Sequence, residues 1–368
     1  MPVTSVTLER FRNHQHLEIG SLDQTTVLVG PNGSGKTNVL EAIDLVISGR
    51  SFRQARIEDV VQWGSDDAVV RLALARQDAA FVVEERLSAE GGRRLYVNGV
   101  EKRRRSDVVG KEHTVVFRPD DLELVKGPSD VRRDALDALG ARLSEAYGHT
   151  RREYTRVVRH RNALLREWRA TQADLEVWTE QAIALGARLL VHRRRLLARL
   201  AAHAAREHDS LSDGARLSME YHDRCGLGAT DPAVEVSGDD AKAALRAAFA
   251  ARRDEERQRA TTVVGPHRDD VVLLLDGREA RRFASQGQRR SIALAWRIAE
   301  MRTIEDVSGS SPILLLDDVM SELDERRRAA LQDCIASASQ AVLTTTDEGH
   351  VPGAGRRALV IALGGPRE

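Results

Sequence analysis

The apolar residues near the N-terminus predict a buried strand followed by an amphipathic helix. Residues 26–29 (Thr-Val-Leu-Val) form a short apolar run of the kind that lies inside a sheet. After a glycine-rich segment, apolar residues recur at helical spacing, at Val39, Leu40, Ile43, Val46 and Ile47. Strand, loop and helix in this order are the context in which a nucleotide-binding loop is expected.

The segment between the strand and the helix, residues 30–37, has the sequence Gly-Pro-Asn-Gly-Ser-Gly-Lys-Thr. This is the spacing of a phosphate-binding loop, in which glycines let backbone N–H groups surround a phosphate at a helix N-terminus. We predict that Lys36 neutralises the β- and γ-phosphates and that the Thr37 hydroxyl takes a Mg²⁺ position, so that ATP or GTP binds here. A chance glycine turn is disfavoured because every fixed position is present. The predicted nucleotide contacts are Gly30, Pro31, Asn32, Gly33, Ser34, Gly35, Lys36, Thr37 and Asn38.

A second apolar run, at residues 313–316, ends in two carboxylates, Asp317 and Asp318. Ligands of an open parallel sheet lie beyond the carboxyl ends of its strands, so acids at this position would lie beside the phosphate-binding loop. We predict that Asp317 holds Mg²⁺ through a water and that Asp318 orients or deprotonates the attacking water. Alone the pattern is weak, because many buried strands end in solvated acids. Together with the loop, and with Ser-Glu-Leu-Asp at residues 321–324, it predicts the Walker B strand of an ATPase.

A third segment, residues 284–290 (Ala-Ser-Gln-Gly-Gln-Arg-Arg), precedes a helical pattern of apolar residues. It resembles the signature motif of ATP-binding cassette ATPases, in which a small polar residue and a glycine at a helix N-terminus contact the γ-phosphate held by another subunit. The resemblance implies that Ser285, Gly287 and Gln288 bind nucleotide. Alone, the segment is also typical of an ordinary helix that begins at a serine. The predicted catalytic residues are Lys36, Asp317, Asp318 and Ser285.

Helical spacing dominates the middle of the chain, from about residue 129 to residue 259, and predicts antiparallel helices in a projecting arm. Strand patterns lie on both sides, at residues 68–75, 80–84, 94–97, 114–117, 271–275, 341–344 and 358–362. Asn98 and Gly99 mark a hairpin turn between two strands. We therefore predict an α/β fold with one P-loop ATPase head built from both chain ends and an inserted α-helical arm.

The motifs and the change of pattern set the predicted domain boundaries. Residues 1–127 form the N-terminal lobe of the head, which carries the phosphate-binding loop, or Walker A. Residues 128–259 form the helical arm domain. Residues 260–368 form the C-terminal lobe of the head, with the signature segment, the Walker B strand and the D-loop at residues 321–324.

The overall charge predicts no partner, since 56 Lys and Arg residues balance 56 Asp and Glu residues. The arm differs, because residues 150–208 contain 13 arginines and six acidic residues. This excess makes a polyanion a candidate partner, with Arg193, Arg194 and Arg195 as candidate contacts. The alternative is an ordinary solvated helix surface.

The remaining composition argues against a secreted or membrane protein. Cys225 and Cys334 lie far apart and in no metal-ligand spacing, which is typical of reduced thiols. The N-terminus has no signal-peptide pattern, and no run approaches the roughly 18 apolar residues of a membrane span. We expect a soluble, cytoplasmic protein without membrane contact.

The motif order, with a helical stretch between the phosphate-binding loop and the signature segment, is typical of SMC-like cassette ATPases, although their long coiled coils are absent. Three further strings are similar to the RecF family of bacterial recombination mediators, and the similarity spans essentially the whole chain. They are residues 11–13 (Phe-Arg-Asn), residues 117–128 (Phe-Arg-Pro-Asp-Asp-Leu-Glu-Leu-Val-Lys-Gly-Pro) with Arg132 and Arg133, and residues 265–270 (Gly-Pro-His-Arg-Asp-Asp).

This resemblance implies an ABC/SMC-like ATPase of DNA repair, recombination, replication and the SOS response. It implies an ATP-dependent homodimer around two ATP molecules that binds duplex DNA, gaps or single-stranded junctions and loads recombinase together with RecR and RecO. It also implies that the ATPase is DNA-dependent. Asp318 stands where transporters have a glutamate, and its shorter side chain favours slow turnover. An architectural SMC-like protein that bridges DNA is the alternative. A transporter subunit is excluded because its cassette is contiguous.

Several polar residues are open to more than one interpretation. Residues 344–346 (Thr-Thr-Thr) lie where cassette ATPases carry their switch histidine, and one of them is a candidate contact on the γ-phosphate side. We expect His267 to satisfy loop backbone groups rather than to perform chemistry. Arg12, Arg53 and Arg268 are candidate contacts of nucleotide or DNA phosphates, with a solvated surface as the alternative.

Overall fold

The computed structural model describes residues 2–76, 79–103, 112–167, 171–212, 214–228, 230–347 and 358–364. The chain forms two compact units. The first comprises residues 1–121 and 304–368, and the second comprises residues 122–303. None of the helices in this part of the chain has the length and apolarity needed to cross a membrane.

Strands and helices follow the patterns predicted from the sequence. In chain order the strands are β1 (Val3–Phe11), β2 (His14–Ile19), β3 (Thr25–Val29), β4 (Asp67–Arg76), β5 (Ala79–Ser88), β6 (Arg93–Val97), β7 (Val100–Lys102), β8 (Thr114–Phe117), β9 (Leu217–His222), β10 (Asp270–Leu275), β11 (Arg278–Glu279), β12 (Ile313–Asp317), β13 (Gln340–Thr345) and β14 (Leu359–Ala362). Every strand pattern predicted from the sequence overlaps one of these strands. The predicted hairpin turn is also confirmed, because Val97 pairs with Val100 around two residues of positive φ, Asn98 and Gly99.

The helices fall mainly in the middle of the chain. In chain order they are α1 (Lys36–Ser48), α2 (Ile57–Val60), α3 (Glu123–Lys126), α4 (Ser129–Leu143), α5 (Glu145–Arg166), α6 (Gln172–Leu211), α7 (Gly238–Ala251), α8 (Arg253–Arg259), α9 (Ala280–Phe283), α10 (Gln286–Ser308) and α11 (Glu325–Ser337). Short 3₁₀ turns occupy Pro119–Leu122, Pro266–Arg268 and Met320–Glu322.

The first unit contains a five-stranded parallel sheet with the order β14-β3-β13-β12-β8. Strands β3 and β8 precede the helical stretch in the sequence, whereas β12, β13 and β14 follow it. The predicted α/β head built from both chain ends is therefore confirmed. Every residue of β3 is buried, as expected for a parallel sheet covered on both faces.

A second sheet of this unit is antiparallel, with the order β2-β1-β4-β5-β6-β7. Helix α1 packs against both sheets. Its Leu40 and Ile43 belong to one buried apolar cluster with Leu8 of β1 and Leu315 of β12. Since burial of one such side chain contributes about 1.5–3 kcal/mol, this cluster fixes the position of α1 and of the loop before it.

The second unit is mainly helical, and its 40-residue helix α6 is the core of the predicted arm. Helices α5 and α6 run antiparallel. Tyr147 near the start of α5 lies with its ring 6.0 Å from that of His192, and Arg161 near the end of α5 donates to Thr179 near the start of α6 at 2.9 Å.

A three-stranded sheet with the order β11-β10-β9 completes the second unit. All of β10, from Asp270 to Leu275, pairs with β9, from His222 to Leu217. Because of this pairing, residues 260–303 belong to the helical unit, whereas the sequence-based boundaries placed them in the C-terminal lobe of the head. The three-part domain division stays a prediction.

Candidate nucleotide site

The loop between β3 and α1 requires glycine at three positions. Gly33 and Gly35 have φ of 83° and 91°, in the left-handed region that favours glycine. A Cβ at Gly30 would lie 2.5 Å from the carbonyl oxygen of Leu363, which is too close for any side chain. The glycines let the backbone turn sharply into the N-terminus of α1, as a phosphate-binding loop requires.

Lys36 and Ser34 supply charge and a hydroxyl to this loop. The Lys36 ammonium donates to the carbonyl oxygens of Gly30 at 2.6 Å and Pro31 at 2.9 Å, so it lies against the loop that precedes it. The hydroxyl of Ser34 is buried and has no hydrogen-bond partner among the described residues. A phosphate oxygen would satisfy that hydroxyl, and the loop therefore fits a nucleotide triphosphate.

The predicted metal-binding residues meet at the carboxyl ends of the parallel strands. Thr37 Oγ1 donates to Asp317 Oδ1 at 2.6 Å, although the two residues are 280 positions apart. Asp317 ends β12 and pairs in register with Thr344 of the neighbouring strand β13. Thr344 Oγ1 donates to the same Asp317 oxygen at 3.0 Å. The sequence-based expectation that the acids lie beside the loop agrees with this geometry.

A hydroxyl and a carboxylate in contact are suited to Mg²⁺, which prefers oxygen ligands and keeps several waters. Within the described residues, no group of three or more His, Cys, Asp or Glu side chains forms a metal cage. Few protein ligands are typical of Mg²⁺ sites in which substrate phosphates complete the coordination. Thr37 and Asp317 therefore fit a Mg²⁺–nucleotide complex.

Thr344 also fixes the residue after Asp317. Asp318 has φ of 51°, a left-handed conformation that aspartate adopts more readily than most other residues. Its backbone N–H donates to Thr344 Oγ1 at 3.0 Å. One buried hydroxyl thus contacts both acids, as donor to the Asp317 carboxylate and as acceptor from the Asp318 backbone. Thr345 does not take part, because its hydroxyl bonds to the backbone of Asp347.

The turn between β1 and β2 contacts the phosphate-binding loop, which the sequence did not predict. Asn13 Nδ2 donates to the carbonyl oxygen of Gly33 at 2.9 Å, and Asn38 Nδ2 donates to Asn13 Oδ1 at 2.7 Å. His14 Nε2 lies 3.1 Å from the carbonyl oxygen of Gly35, and burial lowers the pKa of this histidine. The Phe-Arg-Asn string at residues 11–13 was the available signal for this contact.

A buried carboxylate on α1 orders the arginines near the loop. Glu41 is fully buried and accepts two hydrogen bonds from Arg12, at 2.6 and 3.0 Å, and one from Ser51 at 2.5 Å. Arg53 contacts Glu41 at 3.3 Å and also Asn38 at 2.9 Å. The sequence was compatible with Arg12 and Arg53 either as phosphate contacts or as solvated surface. In the structure both arginines form ion pairs with Glu41.

The signature segment begins α10 in the second unit. Ser285 Oγ accepts from the backbone N–H of Gln288 at 3.2 Å, and the Ser285 N–H donates to Gln288 Oε1 at 2.8 Å. This reciprocal pair is a capping box, with Gly287 in the first turn. Ser285 is exposed, so its hydroxyl is accessible as well as being a cap.

The chain is similar to known proteins over almost its whole length. The family model described as RecF/RecN/SMC N terminal domain matches residues 2–362. The chain is 38% identical over 348 residues to the DNA replication and repair protein RecF of Symbiobacterium thermophilum, covering 94% of this chain and 92% of that protein. It is 40% identical over 347 residues to the protein of the same name from Synechococcus sp., covering 93% and 90%. The chain belongs to the RecF family.

Solved structures agree with RecF-family membership. The recombination mediator protein RecF with ATP, described as part of the RecFOR pathway, has a TM-score of 0.87 and 28% identity over 96% of this chain and 94% of that chain. The SmcHead bound to the C-winged helix domain of ScpA has a TM-score of 0.51 at 16% identity over 95% and 90%, which shows a shared fold alone. The protein is thus an ABC-type ATPase of the RecF/SMC class.

The RecF-family string at residues 265–270 has a structural role in the second unit. His267 Nδ1 lies 2.7 Å from the Tyr154 hydroxyl, and its Nε2 lies 3.1 Å from the carbonyl oxygen of Thr262. Burial lowers the pKa of His267 to about 4, which keeps the ring neutral. The expectation that His267 satisfies loop groups agrees with these contacts. Arg268 likewise donates to the Thr262 carbonyl oxygen, at 3.1 and 3.2 Å.

Two of the three predicted DNA contacts are wrong. Arg193 is buried and donates twice to Asp137, at 2.8 Å each, and to the carbonyl oxygen of Pro266 at 2.5 Å. Arg194 is buried and donates to the carbonyl oxygens of Asp231 and Val234. Burial raises the pKa of Asp137, but ion pairs with Arg193 and Arg151 outweigh it and bring this pKa below its ordinary value. Of the three arginines, only Arg195 is exposed to solvent, where a DNA phosphate could reach it.

Proposed function

We propose that this protein is an ATP-gated DNA clamp of recombinational repair and replication-fork maintenance. Its relatives are named DNA replication and repair protein RecF, and the similar solved structures are described within the RecFOR pathway. The observation that carries the proposal is the contact between Thr37 and Asp317. It joins the two ends of the chain into one site for a Mg²⁺–nucleotide complex.

Each residue of the site has a role in ATP hydrolysis. Lys36 places its charge against the β- and γ-phosphates, while Thr37 and Asp317 hold Mg²⁺, which neutralises phosphate charge when bound. Asp318 orients the attacking water and accepts its proton. Its side chain is one methylene shorter than that of a glutamate. We therefore expect a longer distance between the carboxylate and that water, and slow turnover.

The signature segment completes the site from a second copy of the chain. Ser285, Gly287 and Gln288 begin α10, and the positive end of a helix favours an anion. In the proposed dimer they contact the γ-phosphate that the other copy holds. ATP then favours the dimer, because the same phosphate binds residues of both chains.

The dimer would bind duplex DNA beside single-stranded gaps and act with RecR and RecO to help load recombinase. Support for these partners comes from the names of the relatives, which place RecF in DNA replication, repair and the RecFOR pathway. Slow hydrolysis suits this task, since a clamp must stay closed for longer than a pump.

Asp318→Asn tests the proposal. The substitution removes the water-orienting charge and leaves Thr37 and Asp317 in place, so ATP affinity should change little while hydrolysis falls at least about 100-fold. In sedimentation with ATP, the variant should remain dimeric and hold gapped duplex for hours, whereas the parent decays to monomer.

Glu325→Gln is the matched control, because Glu325 is an exposed acid in the first turn of α11 and the change in charge is the same. It should behave like the parent. Parental hydrolysis by Asp318→Asn would show that Asp318 does not act on the attacking water.

A further inference from the structure

One face of helix α6 carries a line of arginines that the nucleotide site does not use. These residues, which we name the arginine stripe, are Arg188, Arg195, Arg199 and Arg206. All four are exposed, and successive members are 7, 4 and 7 residues apart. At 100° per residue these spacings keep the four side chains within about 40° of one another around the helix axis. At 1.5 Å per residue the stripe extends over about 27 Å.

The charge of the stripe is not neutralised along the helix. The sequence contains no Asp or Glu between Gln181 and Arg206. Glu207 follows the last arginine but lies 3.6 Å from Arg302. Arg188 and Arg199 form no hydrogen bond or ion pair with the described residues. Arg195 lies 3.4 Å from the exposed Glu235, and such surface pairs contribute less than about 1 kcal/mol.

Several other exposed arginines of the same unit have acidic partners. Arg246 pairs with Glu180, Arg253 with Glu176, and both Arg252 and Arg259 with Glu255. These four arginines are scattered among acids rather than aligned along one face of a helix. The stripe instead places four exposed arginines in one line on a stretch of helix without any acid, which indicates a partner that brings negative charge of its own.

We propose that the arginine stripe binds the phosphate backbone of duplex DNA. Guanidinium groups bind phosphate oxygens in pairs of hydrogen bonds, and four of them in a line match a regularly repeating anion. A stripe of about 27 Å covers most of one turn of B-DNA, which is about 34 Å long. Contacts to phosphate position a duplex without reading its sequence. This inference rests on the proposed function, since it names the surface that meets the DNA.

The test compares two quadruple variants with the parent, each by fluorescence anisotropy on a gapped duplex, with ATP, over a series of salt concentrations. The first variant combines Arg188→Gln, Arg195→Gln, Arg199→Gln and Arg206→Gln. If each arginine meets one phosphate, the slope of log K against log salt should become about 3.6 units shallower. The factor by which DNA affinity falls between 50 and 200 mM salt should then be on the order of 100-fold smaller in this variant than in the parent.

The second variant combines Arg246→Gln, Arg252→Gln, Arg253→Gln and Arg259→Gln, which removes the same charge from the same unit. It should keep the parental slope. An equal change in both variants, or a parental slope in the stripe variant, would overturn the inference. Circular dichroism melting curves and ATP affinity verify that both variants are folded. A parent that binds no DNA with ATP would contradict the proposed function itself, whereas a normal parent beside an unaltered stripe variant would contradict the stripe alone.

Discussion

The phosphate-binding loop and helix α6 both carry positive side chains, but the partners of these side chains differ in how far away they lie along the chain. Lys36 lies against carbonyl oxygens of its own loop, at 2.6 and 2.9 Å, within six residues of the chain. On α6, Arg193 bonds to Asp137 and Pro266, which are 56 and 73 residues away. Arg195, two residues further along the same helix, is exposed. Local sequence therefore determines the role of Lys36, whereas tertiary packing determines the roles of the arginines.

The same contrast occurs on strand β13. Thr344 and Thr345 are adjacent, chemically identical and both buried, yet only Thr344 contacts the acids of the nucleotide site. The side chains of successive strand residues point to opposite faces of the sheet, so Thr344 and Thr345 lie in different environments. Neighbours of the same type are therefore useful pairs for experiments, since each provides the control for the other.

The largest effect is expected for Arg193→Gln. This substitution removes both hydrogen bonds that Arg193 donates to the buried Asp137 and leaves Arg151 as its remaining ion-pair partner. Hydrogen bonds to a buried charge contribute about 1.5–3 kcal/mol each, so we expect a loss of about 3 kcal/mol. Urea unfolding followed by circular dichroism should show that loss of stability. Arg195→Gln, the paired control, should change the free energy of unfolding by less than about 0.5 kcal/mol. Equal effects of the two substitutions would contradict the division of α6 into a buried and an exposed face.

A smaller effect is expected for Thr344→Val. It removes the hydroxyl that contacts Asp317 and the Asp318 backbone, and loss of such a supporting contact lowers metal affinity or activity about 10–100-fold. Both the Mg²⁺ concentration for half-maximal ATP hydrolysis and the Mg²⁺-dependent gain in ATP affinity should report this change. ATP affinity without Mg²⁺ should stay within about twofold of the parent.

Two further variants sharpen that result. Thr344→Ser restores the hydroxyl and should recover most of the Mg²⁺ dependence, while Thr345→Val changes the neighbouring buried threonine and should remain close to the parent. If Thr345→Val were as damaging as Thr344→Val, general packing of β13 would explain both, and the positioning role of Thr344 would be lost.

Much of the head could be predicted because its signals are local. Glycines at residues 30, 33 and 35 are demanded by positive φ or close approach, and a parallel sheet brings the carboxyl ends of its strands to one edge. The meeting of Thr37 with Asp317 follows from that rule alone. The contacts of Asn13 and His14 with the loop could not be derived in the same way, since a hairpin at the other sheet brings them there.

The burial of Arg193 and Arg194 was open to prediction from periodicity. Both lie three or four residues from the buried Leu190 and Leu197, and so occupy the apolar face of α6. Periodicity along α6 could not predict the carboxylate that neutralises the buried Arg193, because that residue, Asp137, belongs to α4. The excess of arginine over acid in residues 150–208 therefore combined two populations, one structural and one exposed.

Ser285→Arg tests the central claim, a nucleotide site shared by two copies, most directly. Ser285 is exposed at the start of α10, so a larger side chain can be accommodated in the monomer while it blocks the γ-phosphate of a second copy. In sedimentation velocity runs with ATP, the parent should form a dimer and the variant should remain monomeric. The variant should still bind ATP through its own loop at residues 30–37, with little change in affinity, but should not hydrolyse it. A Ser285→Arg protein that dimerises with ATP and hydrolyses it at the parental rate would contradict the shared site.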